Sequence, residues 1–174
     1  SLLLEEGQTE EAAAYLKRYD KTLSVTNVHR FCANPALNAL LNYYAEMAEQ
    51  NGVAVDLRIE LPESTVIEEA PLCSMTGNLL ENAIQACQQV EPKSARFLHL
   101  SIRAEEGDEL YIASENAFSG ELKQRNGLLL STKHKGEGVG LKSVRTIAEQ
   151  YHGRVRVYTC QSSFCVDVCL RFVP

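Results

Sequence analysis

The spacing of apolar residues changes character several times along the chain, and each change predicts an element. Leu2, Leu3 and Leu4 form an apolar cluster, Gly7 interrupts it, and Thr9 suits the cap of a helix carrying Ala12, Ala13, Leu16 and Tyr19. Residues 1–22 therefore read as a helical segment with a break, too short to stand without something to pack on. Residues 23–34 are polar and irregular. Asn34-Pro35 opens a second helix, with proline suited to its first turn and Leu37, Leu40, Leu41, Tyr44 and Met47 as its stripe; Asn51-Gly52 ends it. Strict alternation at Val53, Val55, Leu57, Ile59 and Leu61 then predicts a half-buried strand, stopped by Pro62.

A third helix is predicted over about 71–89, with Leu72, Met75, Leu79, Ala83, Ile84 and Cys87 facing inward. Strands follow near 97–103 and 109–114, joined by the turn Glu106-Gly107-Asp108. The stretch 115–137 is polar and predicts no regular structure, and an irregular segment of that length in a compact domain is usually functional or mobile. Gly138 to Tyr151 reads as a last helix with Val139, Val144, Ile147 and Ala148 as its stripe, closed by Gly153. Strands near 154–159 and 164–172 end the chain as a hairpin. This order suits an α/β two-layer sandwich: one mixed, mostly antiparallel sheet covered on one face by helices, preceded by a short helical segment.

Composition changes this picture little. A chain of 174 residues with 45% hydrophobic and 23% charged content accommodates one globular domain and a short appendage. No apolar run approaches the ~18 residues that cross a bilayer. The net charge of −6 argues against nucleic acid as the main partner. The six cysteines form no Cys-x-x-Cys pair and have no histidine at zinc-finger spacing, so they read as small hydrophobes.

Two motifs carry candidate chemistry. In Asn78-Leu-Leu-Glu-Asn82-Ala83 the two asparagines are four apart, so their amides project from one helix face. Interleaving with the apolar stripe puts that face beside the core, where neutral amides can ligate Mg²⁺ and bind phosphate oxygens. An isolated pair of this spacing would be two surface amides. In Gly136-Glu-Gly138-Val-Gly140-Leu141 three alternate glycines let backbone N–H groups approach an anion at a helix N-terminus. Alone, that motif is equally at home in a turn or a close packing contact. Ser131, Thr132 and Lys133 precede it with donors suited to a polyphosphate, and Lys133, His134 and Lys135 form a local basic cluster that would otherwise be a solvated loop.

Taken together and in this order, the motifs resemble those of the ATP-binding domain shared by gyrases, chaperones, histidine kinases and mismatch-repair ATPases. The likeness spans roughly residues 30–174: Asn78–Ala83 is similar to the family's N box and Gly136–Leu141 to its second glycine box. The family's first glycine box usually reads Asp-x-Gly. Here Ser114 to Gly120 contains no such aspartate, which resembles the variant of quorum-sensing and peptide-sensing histidine kinases, with Asn116 reading adenine through its amide oxygen. Gyrase-like relatives place a glutamate where Asn78 stands, and an amide cannot serve as a general base, so phosphoryl transfer is favoured over hydrolysis. Glu81 points about a quarter-turn from Asn82 and reads as a surface residue.

The resemblance implies ATP and Mg²⁺ as ligands, with Asn78, Asn82, Asn116, Thr132, Lys133, Gly136, Gly138, Gly140 and Leu141 in the ATP site and Asn82 on the metal. It implies a sensor histidine kinase that gives the γ-phosphoryl group to a histidine in two-component signalling. Residues 1–22 resemble the tail of the dimerisation hairpin, and 23–174 form the catalytic domain. The phosphoacceptor is expected upstream of Ser1, since His29, His99, His134 and His152 suit that role poorly, and this chain is therefore expected not to phosphorylate itself. A response regulator and a homodimer in the full-length protein are the implied partners, with a bacterial membrane receptor as the parent and this part cytoplasmic. The segment 119–137 is expected to close as a lid, with Leu128–Leu130 as its latch. The other readings are a degenerate ATP-fold interaction module and an anti-sigma-type serine kinase.

Overall fold

The computed structural model describes residues 29–62, 67–105, 109–120, 124–125, 128–129 and 139–171. Helix α1 (Pro35–Gln50) starts where Asn34-Pro35 predicts it: Asn34 Oδ1 accepts from Leu37 N at 2.8 Å, and Pro35 occupies the first turn. It stops at Asn51, followed by Gly52 at φ +67°. Strand β1 (Ala54–Glu60) leads to α2 (Glu69–Cys87), shifted about two residues towards the N-terminus of its predicted span. Strands β2 (Phe97–Glu105) and β3 (Glu109–Ala117) form a hairpin pair. A two-residue ladder pairs β4 (Gln124–Arg125) with β5 (Leu128–Leu129). Helix α3 (Val139–Gln150) and the hairpin β6 (Arg154–Cys160) and β7 (Ser163–Arg171) complete the described chain.

The main sheet has five strands in the order β1-β2-β3-β7-β6. β1 and β2 run parallel, as the crossover through α2 requires, and every other neighbouring pair is antiparallel. Cross-strand rows such as Ile102–Ile112–Val168 put the apolar residues of β2, β3 and β7 on one face. That face is buried with Leu37, Leu41, Leu72, Met75, Leu79, Leu80 and Ile84 of the helices. Each fully buried Leu or Ile in this layer contributes about 1.5–3 kcal/mol. The opposite face is polar, with Arg58–Asp56 and Arg156–Asp167 ion pairs at 2.7 Å. This is the predicted two-layer α/β sandwich, with a mixed sheet.

One buried charge ties the layers together. Arg96, 6% exposed, donates through Nε to Val90 O at 2.9 Å, through Nη1 to Asn51 O at 2.9 Å and through Nη2 to Gln88 O at 3.2 Å. Nη2 also meets Glu91 Oε1 at 3.0 Å. One guanidinium thus satisfies carbonyls at the ends of both α1 and α2.

Two expectations need correction. β3 continues through Ala117, so residues 115–117 are strand rather than irregular chain. Its core-facing positions hold small polar residues, Ser114 and Asn116, which hide the period of two from an apolar count. Val139 is 81% exposed, so it does not belong to the buried stripe of α3. The stripe begins at Leu141 and continues through Val144 and Ala148.

Candidate functional site

Helix α2 packs against both α1 and α3 and places its two asparagines on the α3 side. Asn78 Nδ2 donates to Ser74 O, one turn back, at 2.8 Å, which turns its Oδ1 outward. A Cβ built on Gly140 would stand 2.7 Å from Asn82 Nδ2, 3.2 Å from Asn78 Oδ1 and 3.3 Å from Asn82 Oδ1. The start of α3 therefore lies directly against both amides, and glycine is what permits that approach. Leu141, next in sequence, is buried and anchors the helix start from below.

Asn82 Nδ2 is a buried donor with no partner among the described residues. Leaving such a donor unsatisfied costs about 1–3 kcal/mol, so the site is poised for an acceptor. Among the described residues no group of three or more His, Cys, Asp or Glu could hold a metal ion. The donor set fits Mg²⁺ only as an ion that brings its own oxygen ligands, with Asn82 Oδ1 as the protein ligand.

The site extends along α2. Cys87 Sγ donates to Phe97 O at 3.2 Å and lies 3.8 Å from Ala117 O. That same Ala117 carbonyl accepts from Asn116 Nδ2 at 2.8 Å, so the oxygen of the Asn116 amide is left as the acceptor. Burial pushes the Cys87 thiol above its ordinary pKa, against the opposing pull of those carbonyl contacts. Asn82 and Cys87 are about 7.5 Å apart along the helix axis. The polar end of β3 thus sits one to two turns beyond the amide pair, and the arrangement suits an elongated ligand with a polar group at each end.

Sequence reasoning passed over two residues here. Ser114, buried beside Asn116 on the covered face of β3, carried no signal because it interrupts an apolar pattern. Thr76 Oγ1, buried on α2 two residues before Asn78, has no hydrogen-bond partner among the described residues. Thr132, Lys133, Gly136 and Gly138 lie outside the described residues, as does His134, so the structure joins Asn78, Asn82, Gly140 and Leu141, with Asn116 further along. For the segment 119–137 only Ser119, Gly120 and the β4–β5 ladder are described.

Glu81 points elsewhere. It is exposed, accepts from Gln85 Nε2 at 3.0 Å, and with burial as the larger cause holds the Tyr44 phenol on α1 above its usual pKa. The described histidines stand apart from the amide pair: His99 is on the exposed face of β2, His152 follows α3, and His29 precedes α1.

The GHKL domain family matches residues 67–171. The sensor protein PhoQ of Escherichia coli strain K12 is 31% identical over 127 residues, which is 70% of this chain and 24% of the relative. The virulence sensor histidine kinase PhoQ of Salmonella typhimurium strain LT2 is 28% identical over the same shares. The chain therefore spans about a quarter of the length of these relatives. Among solved structures, the catalytic domain of histidine kinase ThkA superposes with a TM-score of 0.62 at 12% identity, covering 80% of this chain and 92% of that one. Acinetobacter baumannii histidine kinase AdeS gives 0.57 at 14% identity, over 95% and 81%.

Proposed function

Because the chain belongs to the GHKL family as a histidine-kinase ATP-binding domain, we propose that it binds Mg·ATP along α2 and donates the γ-phosphoryl group to a protein histidine. The observation that carries this reading is the contact of Gly140 with both amides of α2, around a buried Asn82 donor that has no partner among the described residues. Asn82 Nδ2 binds a phosphate oxygen and Asn82 Oδ1 meets the metal. When bound, Mg²⁺ would neutralise phosphate charge there. Asn78 contributes a neutral amide where a carboxylate would repel phosphate and activate water, so the site positions ATP without hydrolysing it. Asn116 takes the adenine end, its oxygen accepting from the exocyclic amine as the usual aspartate would. Thr132, Lys133, Gly136 and Gly138 supply further phosphate donors from a lid over 119–137.

The finer reading places this domain in a two-component sensor. Residues 1–22 are the end of a dimerisation hairpin whose acceptor histidine lies upstream, the receiver is a response regulator, and the parent is a membrane receptor of the peptide-sensing type. No helix among the described residues is long and apolar enough to cross a membrane. On this reading the present chain forms no acid-labile phosphate with labelled ATP, and adding the upstream hairpin restores it.

Calorimetric titration with ATP tests the core of the proposal. Wild type is expected to bind only with Mg²⁺ present, and Asn82→Ala to lose at least tenfold in affinity. Equal affinity in both would remove the metal and phosphate role of Asn82, and no binding by wild type would favour a degenerate interaction module.

A further inference from the structure

The residues ahead of α1 form a strap along that helix. Asn42 Oδ1 accepts from His29 N and Asn42 Nδ2 donates to His29 O, both at 2.8 Å. One turn earlier, Asn38 Oδ1 accepts from Phe31 N at 2.8 Å and Cys32 N at 3.4 Å. The strap thus runs back along α1, with Cys32 drawn to the level of Asn38. Cys32 Sγ meets Asn34 O at 3.5 Å.

The register between α1 and α2 brings a second thiol to that level. Asn34 Nδ2 donates to Glu69 Oε2 at 3.0 Å. Two turns further on, the Cβ position of Gly77 lies 3.6 Å from Leu40 Cδ1 and 3.7 Å from Tyr44 Cε2. Both contacts give the same offset, about 35 positions, so the helices run side by side in one direction and Cys73 is level with Asn38. Cys32 and Cys73 are each half-buried and packed against the same core.

We propose that Cys32 and Cys73 form a redox-sensitive modification site, in which a hydroperoxide joins the strap to α2 by a disulfide. The step balances simply. One thiolate sulfur attacks the terminal peroxide oxygen, giving a sulfenic acid and releasing the alcohol (water from hydrogen peroxide), and the second thiol displaces water from the sulfenic acid. Two S–H bonds and one O–O bond break, one S–S and two O–H bonds form, and the peroxide takes up the two electrons. Among the described thiols this pair joins the strap to α2, whereas Cys160 and Cys165 lie on the neighbouring strands β6 and β7 of one hairpin. Cys165 and Cys169 share a strand, Cys160 is exposed, and Cys87 is sealed in the core. Burial raises both pKa values, and the charges of Glu69 and then Cys32 raise that of Cys73 further. The reaction is accordingly slow at neutral pH and faster as pH rises and thiolate forms. The link would hold the strap five residues from Asn78, fixing the direction in which the chain arrives at the nucleotide-binding helix.

The test uses the full chain with Cys160→Ser, which excludes bridging between molecules through the exposed thiol. After hydrogen peroxide at pH 8, alkylation and digestion without reductant, mass spectrometry is expected to find one linked peptide pair containing Cys32 and Cys73, with two thiols lost per chain. Dithiothreitol is expected to reverse the link, Cys32→Ser to abolish it, and strap amides 29–32 to exchange at least threefold more slowly in the oxidised form. Separate sulfinic acids on the two cysteines, a link to any other cysteine, or both thiols intact after the three remaining thiols have reacted would each overturn the proposal.

Discussion

The two ends of α3 each depend on a glycine, and the two glycines do different things. At Gly140 the missing Cβ leaves room for the ends of two asparagine side chains. At Gly153 it leaves room for backbone: a Cβ there would stand 2.4 Å from Cys169 O, 2.8 Å from Leu170 Cδ2 and 3.0 Å from Ala148 O. An amide can swing away and a strand inside a sheet cannot. One end of the helix is therefore tuned for a ligand and the other is fixed by the fold. The residue between α3 and Gly153 sharpens the contrast, because His152, not glycine, takes the left-handed conformation at φ +50°. Gly153 is required for closeness, not for its dihedral freedom.

Substitutions can break this contrast. Gly153→Ala should have the largest effect on stability, about 3 kcal/mol by urea unfolding, as overpacking against a fixed strand implies. The folded fraction should keep its ATP affinity. Gly140→Ala should change stability by less than about 1 kcal/mol, since alanine's helix propensity offsets the displacement of Asn82. Its Mg·ATP affinity should fall about tenfold in the same calorimetric assay, and in an Asn82→Ala background that loss should shrink, because the two act through one contact. Should Gly140→Ala unfold the domain while keeping affinity, the division between the two ends would be wrong. His152→Gly should stabilise by about 0.5 kcal/mol, the relief of a left-handed residue being partly offset by unfolded-chain entropy. Val139→Ser, at the most exposed large apolar side chain among the described residues, should change stability least, within about 0.5 kcal/mol by the same urea unfolding.

The distribution of legible and hidden features follows from where side chains advertise their role. Asn34-Pro35 and the alternation from Val53 to Leu61 are local signals, and both elements stand where those residues place them. Asn78 and Asn82 were legible because helical geometry alone puts i and i+4 on one face, and Gly140 because glycines every second residue are unusual before a helix. The end of β3 was hidden, since Ser114 and Asn116 occupy covered positions that an apolar count reads as loop. The strap was hidden for a related reason. Asn38 and Asn42 look like ordinary polar positions of α1, and only tertiary structure reveals that their amides hold the backbone of His29, Phe31 and Cys32. Val139 was misplaced because its spacing fits the stripe of α3 while its position at the helix start puts it in solvent.

Arg96 bears on how the domain comes apart. Its guanidinium collects carbonyls from Asn51, Gln88 and Val90, so its hydrogen bonds are complete only after α1, α2 and β2 have all docked. Losing them is expected to speed unfolding more than it slows folding, which the unfolding and refolding rates of Arg96→Lys would show. Lysine would keep the charge but, as a single ammonium without the planar fork, could not span the same set of acceptors. A buried arginine at the C-terminal ends of both helices thus acts on the lifetime of the folded domain.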